Sequence, residues 1–490
     1  MPKPLIADIV IVGAGIAGLS AALSALESGA RNIVVLEARY VPGGNSMFAE
    51  GFFALDTALT DSQSINDVKN KLWRKSLDYS HQRVDPFLIR GFIDESAHSL
   101  RWLEDRGFKF IWRNVFHDDE TRLYASEIKA KSRTGAAIIR SLVKECAEKG
   151  IRVFTGTRAR KLLLDRKGRV KGVVAEVEGQ EYKISGCCVI LASGGFGGNK
   201  ALLKCYVPFY TEAIGLVGIP TQGDGLLMAA EAGADTQDTI VLETEGPAFR
   251  WSRQLSMAVT AHHNTIWINK KGRRFTEELF NPFECANILC RQPEQVSYTL
   301  MDETIKNSII NEELDNLGGL IDKQDTVMEA KLDRMIQYHA AKGRIKIAGS
   351  WDEIAQWAGV PAASLKTTIQ EYNAYCQQGR DGSFNKDPAY LLPLRHPPYY
   401  AIQCNPTILV THGGLKIDLK MEVLDKQAEA IPGLFAAGID TGGVDADTYN
   451  YYLPGHSFGF SLSSGRLAGR SAAQYAANEC VDQVKDQDIR

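Results

Sequence analysis

No apolar run in this 490-residue chain approaches the length that crosses a bilayer, so no membrane span is expected. Charge of one sign is not in excess either. The 56 lysines and arginines face 59 aspartates and glutamates, a net charge of −3 that argues against a nucleic-acid partner. Nine cysteines are scattered and odd in number, with no C-x-x-C-H haem signature, and they read as reduced core thiols. The adjacent histidines His262 and His263 resemble a metal motif, but neighbours on a strand point to opposite faces, so no metal is expected. Internal repeats and low-complexity linkers are missing. Met1–Asp8 runs straight into an apolar strand without a charged leader or cleavage site, which makes the cytoplasm the expected location.

What is present is the composition of a globular protein, 44% apolar and 23% charged, on a chain long enough for two domains. Asp8–Leu36 reads as strand, glycine turn, helix, strand: "IVIV" suits a strand buried on both faces, and Leu19, Leu23 and Leu26 recur at helical spacing. Helices are expected over Asn66–Tyr79, Pro86–Asp105 and Thr134–Lys149, and strands with turn signals over Arg152–Ser193. From about residue 239 to 389 the pattern is mixed, with an amphipathic helix near Met328–Ala341. Glycine-rich β character then returns, and the chain ends in a helix. The expected fold is α/β: a discontinuous Rossmann-like nucleotide-binding domain over 1–238 and 390–490, with an inserted α+β cap over 239–389.

Gly13-Ala14-Gly15-Ile16-Ala17-Gly18 matches G-x-G-x-x-G. Its context gives the match its weight: it follows a strand, opens a helix, and an acid, Glu37, ends the next strand about 20 residues on. Gly13 permits the tight turn, Gly15 lets a pyrophosphate reach the backbone, and Gly18 allows close helix–strand packing. The helix N-terminus offers N–H groups to the phosphates. Glu37 can accept hydrogen bonds from an adenosine ribose, and its charge opposes a 2′-phosphate. A bare glycine turn with a surface acid is the weaker reading.

Gly43-Gly44-Asn45-Ser46 follows directly after Glu37, where an NAD fold would run into another helix. With "ILASGGFGGN" (Ile190–Asn199), "TQGDG" (Thr221–Gly225), "INKKGRRFTEE" (Ile268–Glu278), "THGGLKID" (Thr411–Asp418) and "IPGLFAAGIDTGG" (Ile431–Gly443), the chain resembles the fumarate reductase/succinate dehydrogenase flavoprotein family over nearly its whole length. The resemblance implies non-covalent FAD, since the histidine that attaches flavin in the membrane enzymes has no counterpart beside Asn45-Ser46. It also implies that Gly44, Asn45, Ser46 and Gly51 line the flavin, that Ala159 meets the adenine, and that Asp224 lies near the middle of the cofactor. Ala17 falls inside the fingerprint helix. The family's ribityl-binding acid after "AAG" is replaced by Ile439, leaving Asp440 as its substitute. Ser457 and Phe458 would begin a helix aimed at the flavin's pyrimidine edge.

The same resemblance shows where the chain departs from soluble fumarate reductases. Their proton-donor arginine falls at Pro282, its relay partners at Ala258 and Ala261, a substrate histidine at Val410 and a substrate arginine at Tyr452. Arg250, Arg253 and Arg273 remain as cations that could enter from elsewhere. Thr411, His412, Tyr451, Tyr452 and His456 stand beside the flavin motifs instead. "Tyr-x-Leu-Pro-Gly" is similar to the corresponding region of the ketosteroid-dehydrogenase and tricarballylate-dehydrogenase-like branch. His412, Tyr452 and His456 are therefore the catalytic candidates, each against a packing alternative, with the cap tyrosines Tyr298 and Tyr338 as possible bases. Glu277 and Glu278 read as structural.

The expected activity is FAD-dependent interconversion of CH–CH and C=C bonds next to a carbonyl or carboxyl group, dehydrogenation being the preferred direction and reduction the alternative. A protein acid or base handles the proton beside the carbon that exchanges hydride. The partners implied are a small carbonyl or carboxyl substrate and an electron donor or acceptor of unknown identity. A non-redox flavoprotein isomerase and an assembly subunit are the rivals from other classes.

Overall fold

The computed structural model describes residues 5–55, 65–114, 122–126, 134–237, 240–252, 255–278, 282–311 and 327–487. They form two compact units: 1–207, 218–242 and 410–490 in the first, 208–217 and 243–409 in the second. Arg253 lies outside the described residues.

In the first unit, strand Leu5–Val12 is paired in parallel on both sides, with Ile33–Leu36 (Val12 opposite Leu36) and with Gln180–Leu191 (Val12 opposite Leu191). Burial on both faces explains the unbroken "IVIV" run. Ala430–Ala436 adds beyond Gln180–Leu191, and Arg152–Phe154 beyond Ile33–Leu36. Gln180–Leu191 does double duty. Its first half closes an antiparallel meander with Val170–Val177 and Arg158–Leu164, and its second half joins the parallel sheet. Three adjacent parallel strands consequently end level, at Val12, Leu191 and Ala436. Ligands bind at such carboxyl ends in open α/β sheets.

The helix Ile16–Glu27 returns the chain across the sheet, and the 32-residue terminal helix His456–Gln487 packs against it. Small residues allow that contact. A Cβ at Gly465 would lie 2.3 Å from the Ala17 carbonyl oxygen, and one at Gly469 would lie 2.2 Å from that of Ala21. Ser20 bridges the two helices through its hydroxyl to the Leu462 carbonyl. On another side, Arg466 reaches Glu95 and Ser99 on the helix Pro86–Glu104.

The second unit is built on Tyr399–Leu409, the greater part of strand Tyr399–His412. It pairs antiparallel with Ser297–Asp302, which pairs in turn with Ile266–Asn269. Those pairings carry the unit past residue 389, the expected end of the cap, to Leu409. Under the sheet lies a closed ionic group. Arg274 binds Glu278 (2.9 and 3.0 Å) and Asp381 (3.0 Å), and Lys386 binds Glu278 (3.1 Å) and the Thr265 carbonyl (2.7 Å). Two cations and two carboxylates balance where water cannot reach. Burial pushes the Asp381 carboxyl up, but the Arg274 and backbone hydrogen bonds outweigh it and hold the group below the usual range.

Removing one member should therefore cost far more than removing a surface pair. Glu278→Ala leaves Arg274 and Lys386 buried without their shared anion, and about 3–5 kcal/mol of stability should be lost. Asp352→Ala breaks only the exposed Lys366–Asp352 contact, and its effect should stay within about 1 kcal/mol. Urea unfolding monitored by tryptophan fluorescence measures both. Equal effects would contradict the role given to the buried group.

Candidate active site

The loops that follow the three level strand ends form one continuous surface. Gly13, with φ +109°, turns directly under the neighbouring strand, where a Cβ would sit 2.1 Å from the Ala192 carbonyl oxygen. A Cβ at Gly18 would meet the Gly13 carbonyl oxygen at 1.9 Å. Packing alone demands glycine at both positions.

Gly15 differs. Its backbone is extended, and an added Cβ would meet nothing closer than Ser46 Oγ at 3.5 Å, an ordinary contact. The protein itself has room for a side chain there. The space beside Gly15 and the N-terminus of helix Ile16–Glu27 fits a group from outside the chain. That helix has no acidic residue in its first turn and no side-chain cap at Gly15, and Ile16 N–H donates to Ser46 Oγ (3.1 Å). Ala17, in the same turn, is buried. Gly44 has open space around it. Glu37 is nearly buried, and its two oxygens accept the Ala14 and Arg39 N–H groups at 3.0 and 2.9 Å. Those bonds hold the carboxylate over the turn with lone pairs left for further donors.

Other candidates take up positions that sequence could not reveal. Asn45 accepts the Ile219 N–H (2.6 Å) and thereby ties the two loops together. Gly51 is buried before the short strand Phe52–Phe53, and Phe52 packs on Phe458 at 5.7 Å. Ala159 is buried in strand Arg158–Leu164. Its neighbour Arg158 grips Asp224 with two hydrogen bonds (2.7 and 2.9 Å), so Asp224 is held as an ion pair at the start of its helix. Asp440 accepts from Ser193 N–H and Oγ and from Gly195 N–H. Burial outweighs those bonds and raises its pKa above the usual value. Asp440 thus clamps the glycine-rich loop after Leu191.

The catalytic candidates divide. His412 and His456 come together through a residue that sequence reasoning did not single out, Asp445. Its Oδ2 lies 2.8 Å from His412 Nδ1 and 2.8 Å from His456 Nε2, and its Oδ1 accepts the Asn450 N–H (3.0 Å). Tyr449 stacks on His456 at 4.1 Å. His412 Nε2 points at Ser457 Oγ, 3.2 Å away in the first turn of the terminal helix. His412, Asp445, His456 and Ser457 line a narrow pocket with Gly413, Gly438, Ile439, Val444 and Phe460 among its walls. A Cβ on Gly438 would come within 3.0 Å of the Ala17 Cβ, which places the pocket beside the fingerprint helix. Burial raises the Asp445 carboxyl, but the two histidine rings outweigh it and hold the group far below the usual range. His412, Asp445 and His456 have the spacing of metal ligands. Both 2.8 Å contacts, however, are of N–H···O length, and we read the three as a hydrogen-bonded group.

Tyr452 lies in a different setting, half-buried and stacked on Tyr451 (4.4 Å), with Tyr79 edge-on at 5.6 Å and Lys75 over its ring. In the second unit, Tyr298 is buried with its hydroxyl donating to the Ala358 carbonyl (2.7 Å), while Tyr338 is exposed. His263 packs edge-on against Tyr390. Glu278 belongs to the buried ionic group. The signal for Asp445 was present in "GGVDAD", an acid directly after a flavin-bordering turn, but only the fold brings it between two histidines.

Comparison with known proteins decides which dinucleotide this surface serves. A family model described as FAD binding domain matches residues 8–450. The chain belongs to this FAD-binding family. Among its relatives, a vinyl phenol reductase of Lactiplantibacillus plantarum is 30% identical, with 97% of this chain and 98% of that protein covered. A flavocytochrome c3 fumarate reductase in its open conformation is 27% identical with a TM-score of 0.75, over 96% of this chain and 79% of that one. A 3-ketosteroid Δ1-dehydrogenase of Sterolibacterium denitrificans shares the fold, with a TM-score of 0.76 at 18% identity over 96% and 99% of the two chains. The flavoprotein family suspected from six ordered motifs is confirmed, and the chain is an FAD-dependent oxidoreductase. Among the described residues no helix is long and apolar enough to cross a membrane.

The glycines of the fingerprint should separate by experiment. Gly15→Ala should fold normally yet bind FAD about 10²-fold more weakly, roughly 3 kcal/mol of overpacking against the cofactor. Gly18→Ala should lower the melting temperature of the protein whether or not FAD is added. Flavin absorbance after gel filtration, together with thermal melts, checks both. A Gly15→Ala protein that keeps full flavin content would sink the assignment.

Proposed function

We propose that the protein reduces a C=C bond conjugated to a hydroxyaryl or carbonyl group on a substrate without a second carboxylate, with His412 as the proton-handling residue. The observation that carries this reading is the Asp445–His412–Ser457 chain opening on a pocket whose walls, among the described residues, include no arginine or lysine. Dicarboxylate recognition calls for paired cations. At the positions that resemble those cations in fumarate reductases, this chain carries Pro282, Val410 and Tyr452. Reduction is taken as the working direction because the vinyl phenol reductase matches along almost the whole of both chains.

FAD, when bound, exchanges the hydride with carbon. Gly15, the first turn of helix Ile16–Glu27 and Glu37 would hold its adenosine diphosphate part, with Asn45, Ser46, Ser457 and Phe458 along the flavin. The protein's own contribution is the proton. Asp445 accepts from His412 Nδ1, which fixes the ring with Nε2 toward Ser457 and stabilises the imidazolium once it forms. A proton leaving Nε2 passes to the alkene carbon that does not receive hydride. In an aryl alkene, protonation of the terminal carbon with loss of the phenolic proton gives a quinone methide, whose benzylic carbon then behaves like the β-carbon of an enone. A hydrogen-bond partner at that oxygen stabilises the charge that develops there.

The test is anaerobic. The photoreduced enzyme should be reoxidised by a vinyl phenol or a simple enone at least about 10²-fold faster than by fumarate, since several transition-state contacts to fumarate are missing together. Stopped-flow absorbance of the flavin reads the rates directly. Rapid reoxidation by fumarate and none by the neutral alkenes would overturn the proposal.

A further inference from the structure

The hydrogen bonds around Asp445 constrain where protons can sit. His456 places Nε2 against Asp445 Oδ2 (2.8 Å) and Nδ1 against the Leu453 carbonyl (3.0 Å), so both ring nitrogens face acceptors. A ring that donates from both nitrogens carries two protons. Asp445 and His456, each 3% exposed or less, then form a buried pair whose charges cancel. His412 donates from Nδ1 to the same carboxylate oxygen, and its Nε2 meets the Ser457 hydroxyl. With Nε2 bare, Ser457 donates to it. With Nε2 protonated, the bond reverses and the ring carries a positive charge.

His412 is held among groups of the terminal helix and of the loop before it. From the terminal helix it faces His456 and Ser457, and from the loop before that helix Asp445 and Tyr449, the latter edge-on at 5.5 Å. The turn at Gly438–Ile439, which shares the pocket, carries Asp440, whose carboxylate is engaged by Ser193 and Gly195. Asp445 is already balanced by His456. An anion arriving in the pocket therefore favours a proton on His412, and among the described residues of the pocket's walls it finds no other uncompensated cation.

We infer that His412 takes up a proton when the bound FAD is reduced, that Ser457 passes this proton to the ligand, and that Asp445 and His456 are positioning residues for the exchange. The balance is two electrons and two protons per reduction, one proton on the cofactor and the second on His412 Nε2. Reoxidation by an alkene consumes both, as a hydride and a proton. The identity of the final proton acceptor rests on the proposed function, whereas the loading of His412 does not.

The midpoint potential of the holoenzyme, measured between pH 6 and 8.5 by equilibration with redox dyes, counts the protons without any substrate. The wild type should take up two protons per two electrons. His412→Gln should take up one. Asp445→Asn should also take up one while still binding FAD, because the ring loses the carboxylate that supports its charge. Ser457→Ala should keep the two-proton count but slow reoxidation by vinyl phenol about 10²-fold relative to the same variant's reoxidation by ferricyanide. A wild type that takes up one proton, or a His412→Gln variant that takes up two, overturns the loading of His412. Ser457→Ala reoxidising at the wild-type rate overturns the relay. Two-proton uptake without reoxidation by any conjugated alkene would remove the proposed substrate class and leave the loading intact.

Discussion

Two backbones approach so closely at Gly13 and Gly18 that no side chain fits between them, and the geometry of the cofactor surface follows from that contact. The turn after Val12 must pass beneath the strand ending at Leu191, and the helix that follows must start at once. Its N-terminus is thereby held at the level strand ends. The terminal helix is fixed against this helix through Gly465 and Gly469, so its own first turn, with His456 and Ser457, is brought to the same edge. Glycines widely spaced in sequence thus set the distance between the turn at Gly15 and the first turn of the terminal helix.

Two buried carboxylates then finish the surface in opposite ways. Asp440 is surrounded by neutral donors from Ser193 and Gly195, and burial dominates its pKa. Its work is mechanical, holding the glycine-rich loop beside the strand ends. Asp445 is surrounded by histidines, and their attraction dominates instead. An ionised carboxylate shared by two rings costs desolvation, and three hydrogen bonds compensate for it. What results is a rigid acceptor that orients His412 through Nδ1 and sets Nε2 toward Ser457. In the second unit the Arg274–Glu278–Asp381–Lys386 group uses the same physics without an opening, which suits a structural role.

Much of this was legible in the sequence because it depends on local spacing. The strand–turn–helix of the fingerprint, Glu37 at the end of the second strand, and helices found at Ile65–Tyr79, Pro86–Glu104 and Thr134–Glu148 all follow from short-range periodicity. Membership of the flavoprotein family followed from the order of six motifs. Side-chain partners were not legible, because they join residues far apart in the chain. Arg158 and Asp224 are 66 positions apart, and His412 and Ser457 are 45. Asp445 stands in a short polar loop with nothing local to link it to two histidines. Tyr452, chosen by its place in a motif, stands in an aromatic group with Tyr79, a residue that no local pattern links to it. The second unit ends at Leu409 because a strand pairing beyond residue 389 carries it there, and pairing partners are not written in the composition of a stretch.

A crystal structure of the FAD-bound protein would test the central claim most directly, that one edge of the first unit holds both the cofactor and an Asp445-organised proton donor. The account predicts the pyrophosphate against the backbone at Gly15, and His412 Nε2 or Ser457 Oγ within hydrogen-bonding reach of the flavin or of a ligand on it. It also predicts that both histidines stay on Asp445. A pyrophosphate seated away from Gly15, or a His412 ring turned from the ligand with its bond to Asp445 broken, would contradict it.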